Sequence, residues 1–86
     1  MDGFINTRRQ IQAQAFSAGN LPTLSFGDSG SAVRVLQRLL RANGFPVRVD
    51  GTFGVLTEVS VKAFQSQSGL FADGVVGQRT WSALSS

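Results

Sequence analysis

The sequence predicts an all-α fold, a small three-helix bundle with long Asp-Gly loops and a short extended strap before the second helix. Three observations predict it. Three separate windows place apolar residues at helical spacing. Glycine, serine and asparagine stand at the borders of those windows, where helices start and stop. The stretch DGTFGVLT at 50–57 also recurs as DGVVGQRT at 73–80, so the pattern DGxxGxxT is written twice, each time before a helical window.

A chain of 86 residues, 42% hydrophobic with a mean hydropathy of +0.07, suits one small globular domain with a tail and is too short for two cores. Residues 1–23 are expected to be a flexible tail or linker, because Gln, Asn, Ala and Ser predominate and SAGNLPT closes the segment with breakers. A short amphipathic helix there is the alternative, with Phe4, Ile11 and Ala15 on one stripe, Ile5, Gln12 and Phe16 on another, and Arg8 and Arg9 on the far side. Residues 24–86 form the expected domain.

The first helix is expected over 31–42. Gly30 or Ser31 caps it, Val33, Leu36, Leu39 and Leu40 make its inner face, and Asn43-Gly44 ends it. Arg34, Arg38 and Arg41 fall on one outer stripe, either a solvated face or a row of guanidinium forks for carboxylates or phosphates. The link FPVRVD, with Pro46 and alternating Val47 and Val49, predicts an extended strap without a pairing partner. Thr57 through Ser68 reads as the second helix, with Thr57, Ser60, Val61 and Phe64 on one side. The loop SGLFADG leads to a third helix over about 77–84, with Trp81 and Leu84 facing inward.

The doubled phrase has a local physical account as a device that starts a helix. Asp-Gly makes a turn in which the glycine accepts a positive φ and the aspartate takes nearby backbone N–H groups. The second glycine is expected to let the incoming chain lie close against the helix. The threonine is expected to bond back to the aspartate or to open backbone.

Composition removes several classes of chemistry. There is no cysteine, hence no disulfide or thiolate metal site, and no histidine, the commonest general base and metal ligand. Of the five carboxylates, Asp2, Asp28, Asp50 and Asp73 stand at turns or helix starts and Glu58 in a first helical turn, so no catalytic pair, metal or cofactor is expected. Net charge is +3, and seven of the eight basic residues are arginine, which inflates the sequence pI to about 11.2. No stretch is apolar enough to span a bilayer, and the N-terminus lacks the cationic start and apolar run of a secretory signal.

Three runs together carry a family resemblance. In the first, Val33, Leu36, Gln37 and Leu40 make VxxLQxxL. In the second, Asp50, Gly51, Phe53, Gly54, Thr57, Phe64 and Gln65 make DGxFGxxT with a following FQ. The third is GLxxDGxxGxxTW, ending at Trp81. Over about 24–84 the chain resembles the three-helix peptidoglycan-binding domain found attached to bacterial cell-wall amidases, peptidases and phage lysins. Val55 and Gln78 stand where that family often has proline.

The resemblance implies a module that binds bacterial peptidoglycan, glycan strand or stem peptide, and locates a partner on the wall; with no catalytic pair it is expected to be non-catalytic, and by default monomeric. It implies a periplasmic or wall location. It also implies a shallow groove with an aromatic or two and a few cationic forks. The candidates near the strap and the first Asp-Gly loop are Arg48, Asp50, Gly51, Thr52 and Phe53, with Phe45 beside them. Phe53 is either core or groove wall, and Trp81 either a core anchor whose N–H finds a partner or a stacking surface. Gln37 and Gln65 are expected to bond backbone within the core.

Two other classes compete. An intracellular protein-interaction module could keep the fold without the wall ligand, with the N-terminal tail as a possible contact. A nucleic-acid binder would use the arginine stripe, but a helix-turn-helix needs a tight turn where this chain has long loops, so no nucleic-acid partner is expected.

Overall fold

A computed structural model describes residues 21–86. The expected tail helix, with Phe4, Ile11 and Ala15 or Ile5, Gln12 and Phe16, lies outside the described residues. Three helices follow in order: α1 Ser31–Ala42, α2 Val55–Gln67 and α3 Gln78–Leu84. The first has the predicted limits, the second begins two residues before Thr57, and the third starts one residue after Gly77.

Each helix forms where its apolar stripe can be buried. Val33, Leu36, Leu39 and Leu40 of α1 meet Val61 and Phe64 of α2 and Trp81 and Leu84 of α3, with Leu24, Val47, Phe53 and Val76 from the connecting segments. Each such side chain taken from water contributes about 1.5–3 kcal/mol, which is how so small a domain holds together without cross-links. Arg41 in the last turn of α1 and Glu58 in the first turn of α2 complement the helix dipoles.

Among the described residues no helix start carries a side-chain cap; glycine occupies the N-cap positions of α1, α2 and α3, Gly30, Gly54 and Gly77. The strap from Phe45 to Asp50 carries neither helix nor strand and makes no bridge, and it turns at Pro46, where the Val47 N–H donates to the Phe45 carbonyl at 2.9 Å. Two isolated antiparallel bridges, Leu24 with Val76 and Ser29 with Thr52, tie the segment before α1 to the two Asp-Gly loops. Contacts with the core begin upstream of Leu24: Leu21 packs against it, and the buried Trp81 donates its Nε1–H to the Pro22 carbonyl at 2.9 Å. Among the described residues no helix is long and apolar enough to cross a membrane.

Candidate functional site

The Asp-Gly loops are organised by two buried glutamines. Gln37 of α1 accepts the backbone N–H groups of Asp50 (3.0 Å) and Gly51 (2.9 Å) on Oε1, and its Nε2 lies within hydrogen-bonding distance of Asp50 Oδ1, the Thr52 carbonyl and Thr57 Oγ1. Gln65 of α2 repeats the arrangement. It accepts the N–H of Gly74 at 3.0 Å and turns its Nε2 toward Asp73 Oδ1, the Val75 carbonyl and Thr80 Oγ1. The expected bonding of both glutamines to core backbone is therefore found. Each aspartate also takes the N–H two residues on, Thr52 at 3.0 Å and Val75 at 2.9 Å, the expected turn.

Two details of the motif differ from the sequence expectation. The threonine hydroxyls face the glutamine amides rather than bonding back to aspartate, because α1 and α2 bring those amides into the loops. The close approach belongs to the first glycine of each copy. At Gly51 (φ +80°) a Cβ would stand 3.1 Å from Arg34 Cζ, and at Gly74 (φ +78°) 3.0 Å from Lys62 Cε, whereas Gly54 and Gly77 have open space. Counted from the two glutamines, Arg34 and Lys62 occupy the same helical position. The domain is thus two overlapping copies of one helix, loop and helix unit that share α2.

This geometry decides what the arginine stripe does. Arg34 lies over the first Asp-Gly peptide and Arg41 donates from Nη1 to the Val47 carbonyl at 3.1 Å, so one guanidinium packs on the loop and another bonds the strap. The Asp50 carboxyl is held below its ordinary value, first by the Thr52 N–H and then by the Gln37 amide.

Of the six candidate ligand-binding residues, Arg48, Asp50 and Thr52 come together on one open groove of about 430 Å³, with Gly54, Val55, Leu56 and Thr57 completing it. Gly51 is buried beneath this loop on Gln37. Phe53 is fully buried in the core, so of its two expected roles the structure keeps the core one: the Gly27–Phe53 and Asp28–Phe53 backbone bonds turn its ring inward. Phe45 packs edge-on against Phe64 with centroids 6.1 Å apart and lines a separate small concavity with Arg41, Gly44 and Pro46. A third depression along the strap, lined by Arg41, Pro46, Val47, Arg48, Val49 and Leu56, shares residues with both.

Leu56 (73% exposed) and Val55 (64%) escape sequence reasoning as site residues. The signal is present in hindsight: both are apolar yet lie off the Thr57, Val61, Phe64 stripe that the core uses. Trp81 is wholly buried and presents no stacking surface. Among the described residues no group of three or more carboxylates could hold a metal ion.

The chain matches known proteins over its helical domain. The family described as "Putative peptidoglycan binding domain" matches residues 29–84. A zinc D-Ala-D-Ala carboxypeptidase of Streptomyces albus G is 45% identical over 67 residues, covering 72% of this chain and 26% of that protein. The SleB N-terminal domain is similar at a TM-score of 0.71 and 39% identity, over 73% of this chain and 88% of that one. The Burkholderia AP3 phage endolysin is similar at a TM-score of 0.74 and 46% identity, over 76% of this chain and 25% of that one. The chain thus spans only about a quarter of the carboxypeptidase and of the endolysin.

Proposed function

The chain belongs to the peptidoglycan-binding domain family, and from that premise we propose that its domain is a non-catalytic, monomeric reader of the bacterial wall that holds a partner activity against peptidoglycan. The observation that carries the ligand class is the continuous family match over 29–84, which includes both Asp-Gly loops and all three helices. The named relatives fit: a carboxypeptidase for D-Ala-D-Ala and a phage endolysin each contain this region as a minor part of a longer chain.

The ligand lies in the groove of the first Asp-Gly loop. Arg48 supplies a guanidinium for a carboxylate or amide oxygen, Thr52 a hydroxyl, and Leu56 with Val55 an apolar bed for a sugar face or a side chain. Asp50 contributes from the groove wall, while Gly51 and Phe53 support the loop from below. Phe45 lies apart from this groove, in the small concavity that meets the strap depression at Arg41 and Pro46.

Sedimentation with insoluble wall sacculi, at low and high salt and with double-stranded DNA as competitor, tests this. Retention that survives both conditions is the expected result. A chain that stays in the supernatant at every salt concentration overturns it, and one released by DNA returns the nucleic-acid alternative. Combining Arg48→Ala with Leu56→Ser, both exposed and so compatible with folding, is expected to weaken retention; unchanged retention sinks the groove assignment alone.

A further inference from the structure

The second Asp-Gly loop forms a groove of its own, about 350 Å³, lined by residues that include Leu70, Phe71, Asp73, Val75, Gln78 and Arg79. Every residue lining the first groove has a counterpart here, and Gln65, Gly69 and Leu70 extend the second. Asp73 stands for Asp50, Val75 for Thr52, Gly77 for Gly54, Gln78 for Val55, Arg79 for Leu56 and Thr80 for Thr57. Phe71, two residues before the aspartate, stands for Arg48. The first groove therefore carries Arg48 and Leu56 at two positions where the second carries Phe71 and Arg79. At these two positions each groove pairs a guanidinium with an exposed apolar side chain, the order exchanged, and each adds a second exposed apolar residue, Val55 in the first and Val75 in the second.

Phe71 is 89% exposed, although the core has room for aromatics and buries Phe53 and Phe64. Its backbone is fixed on both sides. The Leu70 N–H donates to the Gln65 carbonyl at 2.8 Å, and the Asp73 N–H donates to the Phe71 carbonyl at 3.0 Å. The loop thus holds the ring out in water on a defined frame, and an exposed aromatic at the lip of a groove is a surface for a partner.

We propose that this second groove is a saccharide subsite, so that the domain grips one glycan strand at two repeat-related places. The proposal rests on the wall reading above. An aromatic ring beside a guanidinium and a carboxamide matches an N-acetylated hexose, whose ring face is apolar and whose edge carries hydroxyls and an amide. Phe71 takes the sugar face, and Gln78 and Arg79 donate to its oxygens. A polymer with repeating units can fill both grooves of one duplicated domain, and two weak linked contacts hold far more tightly than either.

The test uses the full chain, with Phe71→Ala and Arg79→Ala as single variants. Both residues are exposed, so the melting temperature is expected to stay within a degree or two of the parent's. Retention on sacculi is expected to fall at least about tenfold for Phe71→Ala, because one of two linked contacts is then weakened. A tetramer of N-acetylglucosamine, free of peptide, is expected to shift the amide resonances of Phe71, Val75, Gln78 and Arg79 in a ¹⁵N-labelled chain. Parent-like retention by both variants overturns the second subsite and leaves the wall reading intact, as do tetramer shifts confined to 48–57. A parent that fails to sediment overturns the wall reading and this proposal with it.

Discussion

Gln37 and Gly51 are joined by a buried hydrogen bond of 2.9 Å from the glycine N–H to the glutamine Oε1, and this contact fixes the first loop on the first helix. Gln65 and Gly74 make the same contact at 3.0 Å in the second copy. One side chain in each copy satisfies a turn that would otherwise bury unpaired backbone, and among the described residues no buried side-chain polar atom lacks a partner.

Replacing Gln37 by leucine keeps its volume and removes every one of those bonds. The buried Gly51 N–H and the Thr57 hydroxyl then lose their partners, and a loss of about 2–4 kcal/mol is expected in urea denaturation. Gln65→Leu is expected to behave alike. Gln37→Glu puts a carboxylate where an amide faced Asp50 Oδ1. Buried against the Asp50 carboxylate and the Thr52 carbonyl, that new group is expected to have its pKa raised on folding, so its stabilising protonated form is present at low pH and lost as pH rises. The variant is therefore expected to be weakest near neutrality and to recover part of its stability toward pH 4. A flat profile for Gln37→Glu contradicts the assigned amide orientation.

The helices were legible because their core stripes are periodic: Val33, Leu36 and Leu40 announce α1 as plainly as Trp81 and Leu84 announce α3. The site was only partly so. Arg48, Asp50 and Thr52 share a groove because they flank the same turn, which sequence proximity reveals. Phe53 is next in the chain yet points inward, and that is decided by backbone bonds to Gly27 and Asp28, which no local pattern encodes. Phe71 and Leu56 gain meaning only when the two loops are superposed through Gln37 and Gln65.

The two glycines of each motif are expected to respond oppositely. Gly51→Ala and Gly74→Ala place a side chain at positive φ and against Arg34 or Lys62, a cost of about 1–2 kcal/mol from the backbone alone. Gly54→Ala and Gly77→Ala have ordinary φ and open space, so their stability is expected to stay within about 1 kcal/mol of the parent. Thermal melts of the four variants check the ordering. If Gly54→Ala is as damaging as Gly51→Ala, the close approach has been placed at the wrong residue.

Acid is expected to loosen the first loop before the rest. The Asp50 carboxyl has a lowered pKa in the folded state, so the stability it contributes is present above the ordinary aspartate value of about 3.9 and is lost as pH falls through the lower folded value. Asp50→Asn keeps an oxygen for the Thr52 N–H but does not titrate. Between pH 5 and pH 2 the parent's melting temperature is expected to fall more steeply than the variant's, and parallel curves would remove Asp50 from the account.

Trp81 gives an internal control for both groove assignments. Its ring is fully buried, its N–H is used by Pro22, and it lines neither groove. Emission is therefore expected to be blue-shifted in the free chain, resistant to acrylamide, and unchanged by saturating soluble wall fragments. Trp81→Phe is expected to lower stability by about 2–3 kcal/mol, chiefly through the cavity it leaves, with binding otherwise kept wherever the chain remains folded. A ligand-dependent change in Trp81 emission would place the ligand against the core end of α3 instead, and both loop grooves would then have to give way to that surface.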